Sequence, residues 1–287
     1  MIGILHPAVR TWFARRFPDG PTPPQAGGWA EIAAGRHTLI AAPTGSGKTL
    51  AAFLVCIDRL YRAGDEVLLA GGPQVIYVSP LKALAVDIHQ NLEAPLREIA
   101  GVAAELGLAA PHIRVAVRTG DTAATERTAM LRRPPNFLVT TPESLYLLVT
   151  AERSRRLLPG VQTVILDEIH AVAGNKRGSH LALTLERLQH VAASPLQRIG
   201  LSATQRPIEA VARLLVGTDS SHVDGTPRCS IVDVGHRRAL DLALELPDDE
   251  VGAVVSSEQM AEILDRISAH VDAHRTTLIF VNTRRMA

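Results

Sequence analysis

Between His37 and about Leu215 one pattern of apolar and polar positions recurs. A short apolar run closes on a small or polar residue, and a longer stretch with helical spacing follows. The runs are Thr38–Ala42, Val75–Ser79, Ile113–Val117, Phe137–Thr140, Val161–Leu166 and Arg198–Leu201. Each is short enough for a strand and apolar without alternation, as expected of strands covered on both faces. Between them, Leu81–Ala104 and His180–Val191 are rich in Ala and Leu at helical spacing. Alternating β and α elements of this kind predict an α/β fold with a mostly parallel, doubly wound sheet.

The pattern changes after about Gly217. Thr218–Arg228 is polar and turn-rich, and Ser230–Val234 and Ala239–Leu246 read as short strands. Pro247-Asp248-Asp249-Glu250 reads as an acidic linker, followed by a helix over Glu258–His274 and an apolar strand at Thr277–Val281. One helix and one strand cannot bury a core by themselves. The expected organisation is therefore a large domain over 1–217, a connector over 218–250, and the opening of a second lobe over 251–287. There is no internal repeat and no low-complexity tract.

Composition adds modest constraints. Hydrophobic residues at 46% and charged residues at 21% are ordinary globular usage and argue against disorder. Aromatic residues at 3% leave the core to Ala, Val, Leu and Ile. A net charge of +1 gives no global polyanion signal, so any nucleic acid must be held by a local stripe or by backbone amides. Cys56 and Cys229 are far apart without ligand spacing and read as reduced, structural cysteines. The start lacks the basic and apolar regions of a signal peptide, and no run approaches a membrane span. A soluble, cytoplasmic protein is expected.

The strongest chemical signal is Ala42-Pro43-Thr44-Gly45-Ser46-Gly47-Lys48-Thr49, a P-loop with Ala in place of the usual first Gly. It follows a strand and opens a helix, the context this motif requires. Its glycines let successive amides curl inward onto phosphate oxygens, and the helix N-terminus adds its dipole. Lys48 is expected to bridge the β- and γ-phosphates of ATP, and the Thr49 hydroxyl to ligate Mg²⁺.

Two further segments close apolar strands. Asp167-Glu168-Ile169-His170 follows Val164-Ile165-Leu166, and the ligand crevice of a parallel sheet lies beyond such carboxyl ends. Asp167 is expected to hold Mg²⁺ and Glu168 to orient the attacking water. On its own, an Asp-Glu pair at a strand end is commonly solvated or caps a helix; the P-loop upstream changes that reading. Ser202-Ala203-Thr204 closes Ile199-Gly200-Leu201, and its hydroxyls are placed to bond to the acidic site.

P-loop, Asp-Glu-Ile-His and Ser-Ala-Thr, in that order, resemble motifs I, II and III of the superfamily 2 DEAD/DEAH-box helicases. Pro21-Thr22-Pro23-Pro24-Gln25 with Trp29 resembles their Q motif, which implies that Gln25 reads the adenine edge. Ser79-Pro80-Leu81-Lys82-Ala83-Leu84 resembles motif Ia. Arg118-Thr119-Gly120-Asp121-Thr122 and Thr140-Thr141-Pro142-Glu143-Ser144 resemble the other strand-contacting motifs, and Leu278–Arg284 resembles motif IV. His6-Pro7-Ala8-Val9 with Trp12-Phe13, Ala41–Leu54, Arg177-Gly178-Ser179-His180 and Leu185-Glu186-Arg187-Leu188 resemble the large helicase-related (Lhr) family.

The resemblance covers the whole chain. It implies a RecA-like P-loop NTPase lobe followed by the truncated start of a second one. It also implies ATP-dependent 3′ to 5′ movement on single-stranded DNA, unwinding that extends to RNA–DNA hybrids, and a link to DNA repair. His170, Ser202 and Thr204 would couple hydrolysis at Lys48, Asp167 and Glu168 to lobe movement.

The nucleic-acid contacts expected are Pro80, Lys82, Arg118, Gly120, Thr141 and Pro142. Ser79-Pro80 and Thr141-Pro142 each end a strand and open a helix, offering free amides to a phosphate, with Lys82 and Arg118 adding charge. Such contacts hold a backbone without reading its sequence; ordinary helix capping is the structural alternative. The family's later lobe-two motifs, its arginine finger and its accessory domains have no counterpart here. A finger can be worth roughly 10³–10⁵ in rate, so these 287 residues alone are expected to bind ATP weakly and barely hydrolyse it. An RNA-directed ATPase and a non-catalytic nucleotide-binding module that docks on a partner are the rival readings.

Overall fold

The computed structural model describes residues 2–69, 71–204, 206–235, 241–248 and 255–281, without the side chains of 2, 66, 67, 69 and 82–90. The chain divides into two compact units, Met1–His236 and Arg237–Ala287.

In the first unit the strands are β1 (Thr38–Ala41), β2 (Val75–Val78), β3 (Val115–Arg118), β4 (Phe137–Thr140), β5 (Thr163–Leu166), β6 (Gln197–Ser202) and β7 (Ser230–Asp233). Its helices are α1 (Pro7–Arg16), α2 (Pro23–Ala33), α3 (Lys48–Leu69), α4 (Lys82–Glu105), α5 (Ala124–Arg132), α6 (Pro142–Thr150), α7 (Glu152–Arg155), α8 (His170–Ala173), α9 (Lys176–Val191) and α10 (Ile208–Val216). All seven strands pair in parallel, in the order β3-β4-β2-β5-β6-β1-β7. The predicted α/β class is observed, and all seven strands fall on runs read as strands, with ends shifted by a residue or two. The sheet is therefore a RecA-like lobe in architecture.

Why the strands read as unbroken apolar runs is visible in the packing. Successive side chains point to opposite faces, and both faces are covered. Ile40, Tyr77, Val139, Ile165 and Ile199 pack with α1, α2, α3 and α4 in one core. Leu39, Ile76, Val78, Leu138, Val164 and Leu166 pack with α6, α9 and α10 in the other. Aromatic residues are few, but Phe13, Trp29, Tyr77 and Phe137 are all fully buried in the first core.

Two expectations need correction. The lobe does not end at Gly217: Ser230–Asp233 pairs along the whole of β1, from Thr38↔Ser230 to Ala41↔Asp233. Its half-polar sequence suits an edge strand, covered less than its neighbours. In the second unit, the expected helix is present as α11 (Ser257–Ala273), with a Ser256/Gln259 capping box. The expected strand at Thr277–Val281 is not formed and its residues are exposed, because among the described residues it has no neighbouring strand to bond. Of Ala239–Leu246, residues 239 and 240 lie outside the described residues, and 241–246 have no regular structure. Asp249 and Glu250 of the acidic linker are also outside.

Candidate active site

Strand order creates the site. β6 lies between β5 and β1, so the loops after β1 and β5 flank the end of β6. The P-loop, Asp167-Glu168 and Ser202 thus converge on one edge, the carboxyl end of the sheet where parallel folds bind ligands. Ala42 N–H donates to Ser202 O at 3.1 Å, and Ile169 N–H to Leu201 O at 3.0 Å. These bonds tie the P-loop and the Asp167-Glu168 loop to the end of β6.

The P-loop curls through Gly45 (φ +80°) and Gly47 (φ +83°), a left-handed backbone that side chains resist. α3 begins immediately afterwards at Lys48. Two neighbouring residues buttress the turn: Thr22 Oγ1 donates to Ser46 O at 2.8 Å and Gln25 Nε2 to Gly47 O at 3.4 Å. Gln25 Oε1 in turn accepts from Thr22 N–H at 3.0 Å. The buried Gln25 therefore joins the start of α2 to the phosphate loop.

Lys48 is only 5% exposed. Its ammonium lies 3.1 Å from Glu168 Oε1, an ion-pair distance off the direction of a hydrogen bond, so its protons are left without acceptors. Ser46 Oγ is likewise buried without a partner. Buried polar groups rarely stay unsatisfied. A cation and a hydroxyl orphaned on a glycine-rich cradle fit the oxygens of a bound triphosphate.

Asp167 sits at the end of β5 with its backbone N–H on Val78 O at 2.9 Å. Burial raises its carboxyl pKa above the usual value, against the opposing effect of a hydrogen bond from Tyr77. Tyr77, on β2, donates its hydroxyl to Asp167 Oδ2. Burial and the neighbouring Asp167 carboxylate push the Tyr77 phenol well above its ordinary pKa, so it stays a donor. Among the described residues no cluster of three or more His, Cys, Asp or Glu forms a metal cage. One carboxylate and one hydroxyl are instead what Mg²⁺ needs when substrate phosphates and water complete its shell.

Glu168 is held at φ +44°, a left-handed conformation that costs a non-glycine residue of order 1–3 kcal/mol. Its N–H is fixed by Asp167 Oδ1 at 2.9 Å. One carboxylate oxygen faces Lys48, and the other lies 3.4 Å from His170 Nδ1. Ala203 N–H donates to that same Nδ1 at 3.1 Å. A backbone N–H can only donate, so Nδ1 carries no proton and a neutral ring holds it on Nε2. Ser202 Oγ is 3.4 Å from Nδ1 and donates to Ala203 O at 2.8 Å. Ser202 thus meets His170 rather than the carboxylates. Thr204 is exposed, and no hydrogen bond joins its hydroxyl to the acidic site among the described residues.

The strand-end loops expected to hold nucleic acid lie on the same edge, beyond β2, β4 and β3. Thr141 caps α6, accepting from Ser144 N–H at 3.4 Å, with Pro142 at the first helical position. Ser79 and Pro80 are buried at the end of β2, and Ser79 N–H bonds to Thr140 O at 2.9 Å. Lys82 opens α4, but its side chain lies outside the described residues. Arg118 ends β3; burial and then the nearby Arg127 charge lower its pKa. Arg127 Nη2 donates to Gly120 O at 2.8 Å and shapes that turn.

Sequence reasoning missed Tyr77, which reads as one more apolar strand residue. The only signal in the sequence was a hydroxyl in an otherwise aliphatic run.

Residues 22–211 match the family model for the DEAD/DEAH box helicase. The chain is 46% identical over 286 residues to the Lhr helicase/probable uracil glycosylase of Mycolicibacterium smegmatis, covering 100% of this chain and 18% of that protein. It is 49% identical over 282 residues to the ATP-dependent helicase Lhr-Core of Methanothermobacter thermautotrophicus, covering 98% and 32%. Among solved structures it resembles the Mycobacterium smegmatis helicase Lhr bound to ssDNA and AMP-PNP, with TM-score 0.84 and 47% identity over 100% of this chain and 35% of that one. The chain thus spans a third or less of the length of these curated relatives.

Proposed function

The chain belongs to the DEAD/DEAH box helicase family, and we propose that it forms the ATP-binding lobe of an Lhr-type motor that moves 3′ to 5′ along single-stranded DNA. The observation that carries this reading is the buried Lys48 ammonium, unsatisfied on the P-loop and facing Glu168. Such a cation is poised to exchange a carboxylate for a more highly charged phosphate.

Lys48 and the P-loop amides bind and orient the triphosphate, and Gln25, fixed between Thr22 and Gly47, lines the adenine side. Thr49 and Asp167, the latter held by the Tyr77 hydroxyl, would hold Mg²⁺, which would neutralise charge on the transferring phosphoryl oxygens. Glu168, released from Lys48, orients the attacking water and takes its proton. His170, through Ala203 and Ser202, reports the state of the site to β6, and Thr204 follows on the exposed side. Pro80, Lys82, Arg118, Gly120, Thr141 and Pro142 hold the phosphate backbone of the strand. Residues 251–287 are read as the start of a second RecA-like lobe, which would close on ATP and strand together. The wider reading includes RNA–DNA hybrids as substrates, DNA repair as the context and the cytoplasm as the location. No described helix is long and apolar enough to cross a membrane.

The test is the intact protein's ATPase, stimulated in parallel by single-stranded DNA and RNA, beside Lys48→Ala. DNA stimulation abolished by the substitution supports the reading. A strict RNA requirement would replace it with the RNA-directed alternative.

A further inference from the structure

Arg177, in the first turn of α9, touches both loops assigned to the nucleic-acid strand. Its Nη2 donates to Pro80 O at 2.8 Å, and its Nε to Glu143 Oε1 at 2.8 Å. Pro80 precedes α4 and Glu143 lies in the first turn of α6, so one planar guanidinium spans the two helix starts. β2 and β4, which carry these loops, are paired neighbours with Val78 opposite Thr140. Past the Ser79 N–H bond to Thr140 O the ladder stops, and Arg177 continues the connection.

The geometry gives this arginine a definite job. A carbonyl and a carboxylate, presented by different loops, need a donor with two divergent N–H groups in one rigid plane, which Lys cannot supply. Glu143 carries the trace: its pKa is lowered despite its partial burial, by the Arg177 hydrogen bond and charge. Arg177 is also fixed from behind. Its N–H is capped by Asn175 Oδ1 at 2.9 Å, and the segment from Glu168 through α8 runs directly into Asn175. Gly178, next in the chain, packs so closely on Val172 O that an added Cβ would lie 2.2 Å from it. The start of α9 is thereby seated on α8, the short helix that follows Glu168 and begins at His170.

We propose that Arg177 is a positioning residue for strand binding: it locks the Pro80 and Thr141–Glu143 loops at one spacing and ties that spacing to the segment following Glu168. The inference rests on the proposed function, since it takes those loops as the strand-binding ones. Arg177 need not touch the nucleic acid itself. Its contribution is to keep Pro80 and Thr141 at a separation that matches successive phosphates.

The test measures single-stranded DNA affinity and ATP-analogue affinity separately, by fluorescence anisotropy and by a fluorescent nucleotide, in the intact protein. Arg177→Ala and Arg177→Lys should each weaken DNA binding by about tenfold while nucleotide affinity stays within twofold. Glu143→Gln should weaken DNA binding less, and should add little to Arg177→Ala, because both remove the same link. DNA affinity unchanged in Arg177→Lys and Glu143→Gln would overturn the proposal, as would equal losses of DNA and nucleotide affinity, the mark of a general packing role. A wild-type protein that binds nucleotide but no single strand would instead overturn the proposed function, and this inference with it.

Discussion

The Lys48 ammonium lies 3.1 Å from Glu168 Oε1, in a site where it is buried and makes no hydrogen bond. In the proposed mechanism the cation that would bind phosphate is here held by the carboxylate that would orient water, so nucleotide entry would free both at once.

This pairing predicts that Glu168→Gln binds ATP analogues more tightly, by about three- to tenfold, because a neutral amide competes more weakly for Lys48. The check is thermal shift: a ligand that binds only the folded state raises the melting temperature with its affinity. A smaller shift in Glu168→Gln than in wild type at equal ligand concentration would contradict the latch.

Tyr77→Phe removes the hydroxyl that donates to the Asp167 carboxylate. The Asp167 carboxylate is then buried with one partner fewer, at a cost of about 1–3 kcal/mol. Turnover should fall about tenfold or more, with higher Mg²⁺ needed for half-maximal nucleotide binding. An unchanged Mg²⁺ titration would show that Asp167 is positioned by its backbone alone.

Gly45 and Gly47 have nearly the same left-handed backbone, but only Gly47 is crowded: a Cβ there would lie 2.5 Å from Gln25 Nε2. Gly45→Ala should therefore cost about 1–3 kcal/mol of strain, and Gly47→Ala more, together with nucleotide affinity. Adding Gln25→Ala to Gly47→Ala should restore part of the stability. Equal melting temperatures for the two glycine variants would count against the Gln25 contact.

Glu31 on α2 accepts hydrogen bonds from Arg36 and from Ser230 of β7, which hold its carboxyl down at about 2 from an ordinary 4.5. A lowered folded-state pKa stabilises above the unfolded value, and that contribution is lost as pH falls from about 4.5 towards 2. Glu31→Gln should lower stability at neutral pH by no more than about 1 kcal/mol, because the pair is partly exposed. The deficit should shrink in melts run below pH 4.5. A deficit independent of pH would mean that shape, not charge, seats β7.

Much of this was legible in the chain. Parallel strands buried on both faces leave long apolar runs, and phosphate chemistry demands a contiguous glycine-rich loop, so β1 to β6 and Ala42–Thr49 could be read directly. β7 was legible as a strand but placed in the connector, because a half-polar edge strand gives no sign of which sheet it joins. Tyr77 escaped notice, and Arg177 stood out only as part of a family resemblance, because their roles depend on which strands become neighbours. Nothing in Val75–Val78 says that β5 lies alongside, or that Pro80 and Glu143 meet at one guanidinium. The apolar stretch at Thr277–Val281 showed the converse limit: strand-like residues do not form a strand without a partner.

The most direct measurement is steady-state ATP hydrolysis by the intact protein, with and without single-stranded DNA, beside Glu168→Gln. The account predicts DNA-stimulated turnover in the wild type and a fall of at least about 10²-fold in the variant, with nucleotide binding retained or strengthened. Wild-type turnover in Glu168→Gln would contradict it, since the carboxylate facing Lys48 would then have no part in activating water.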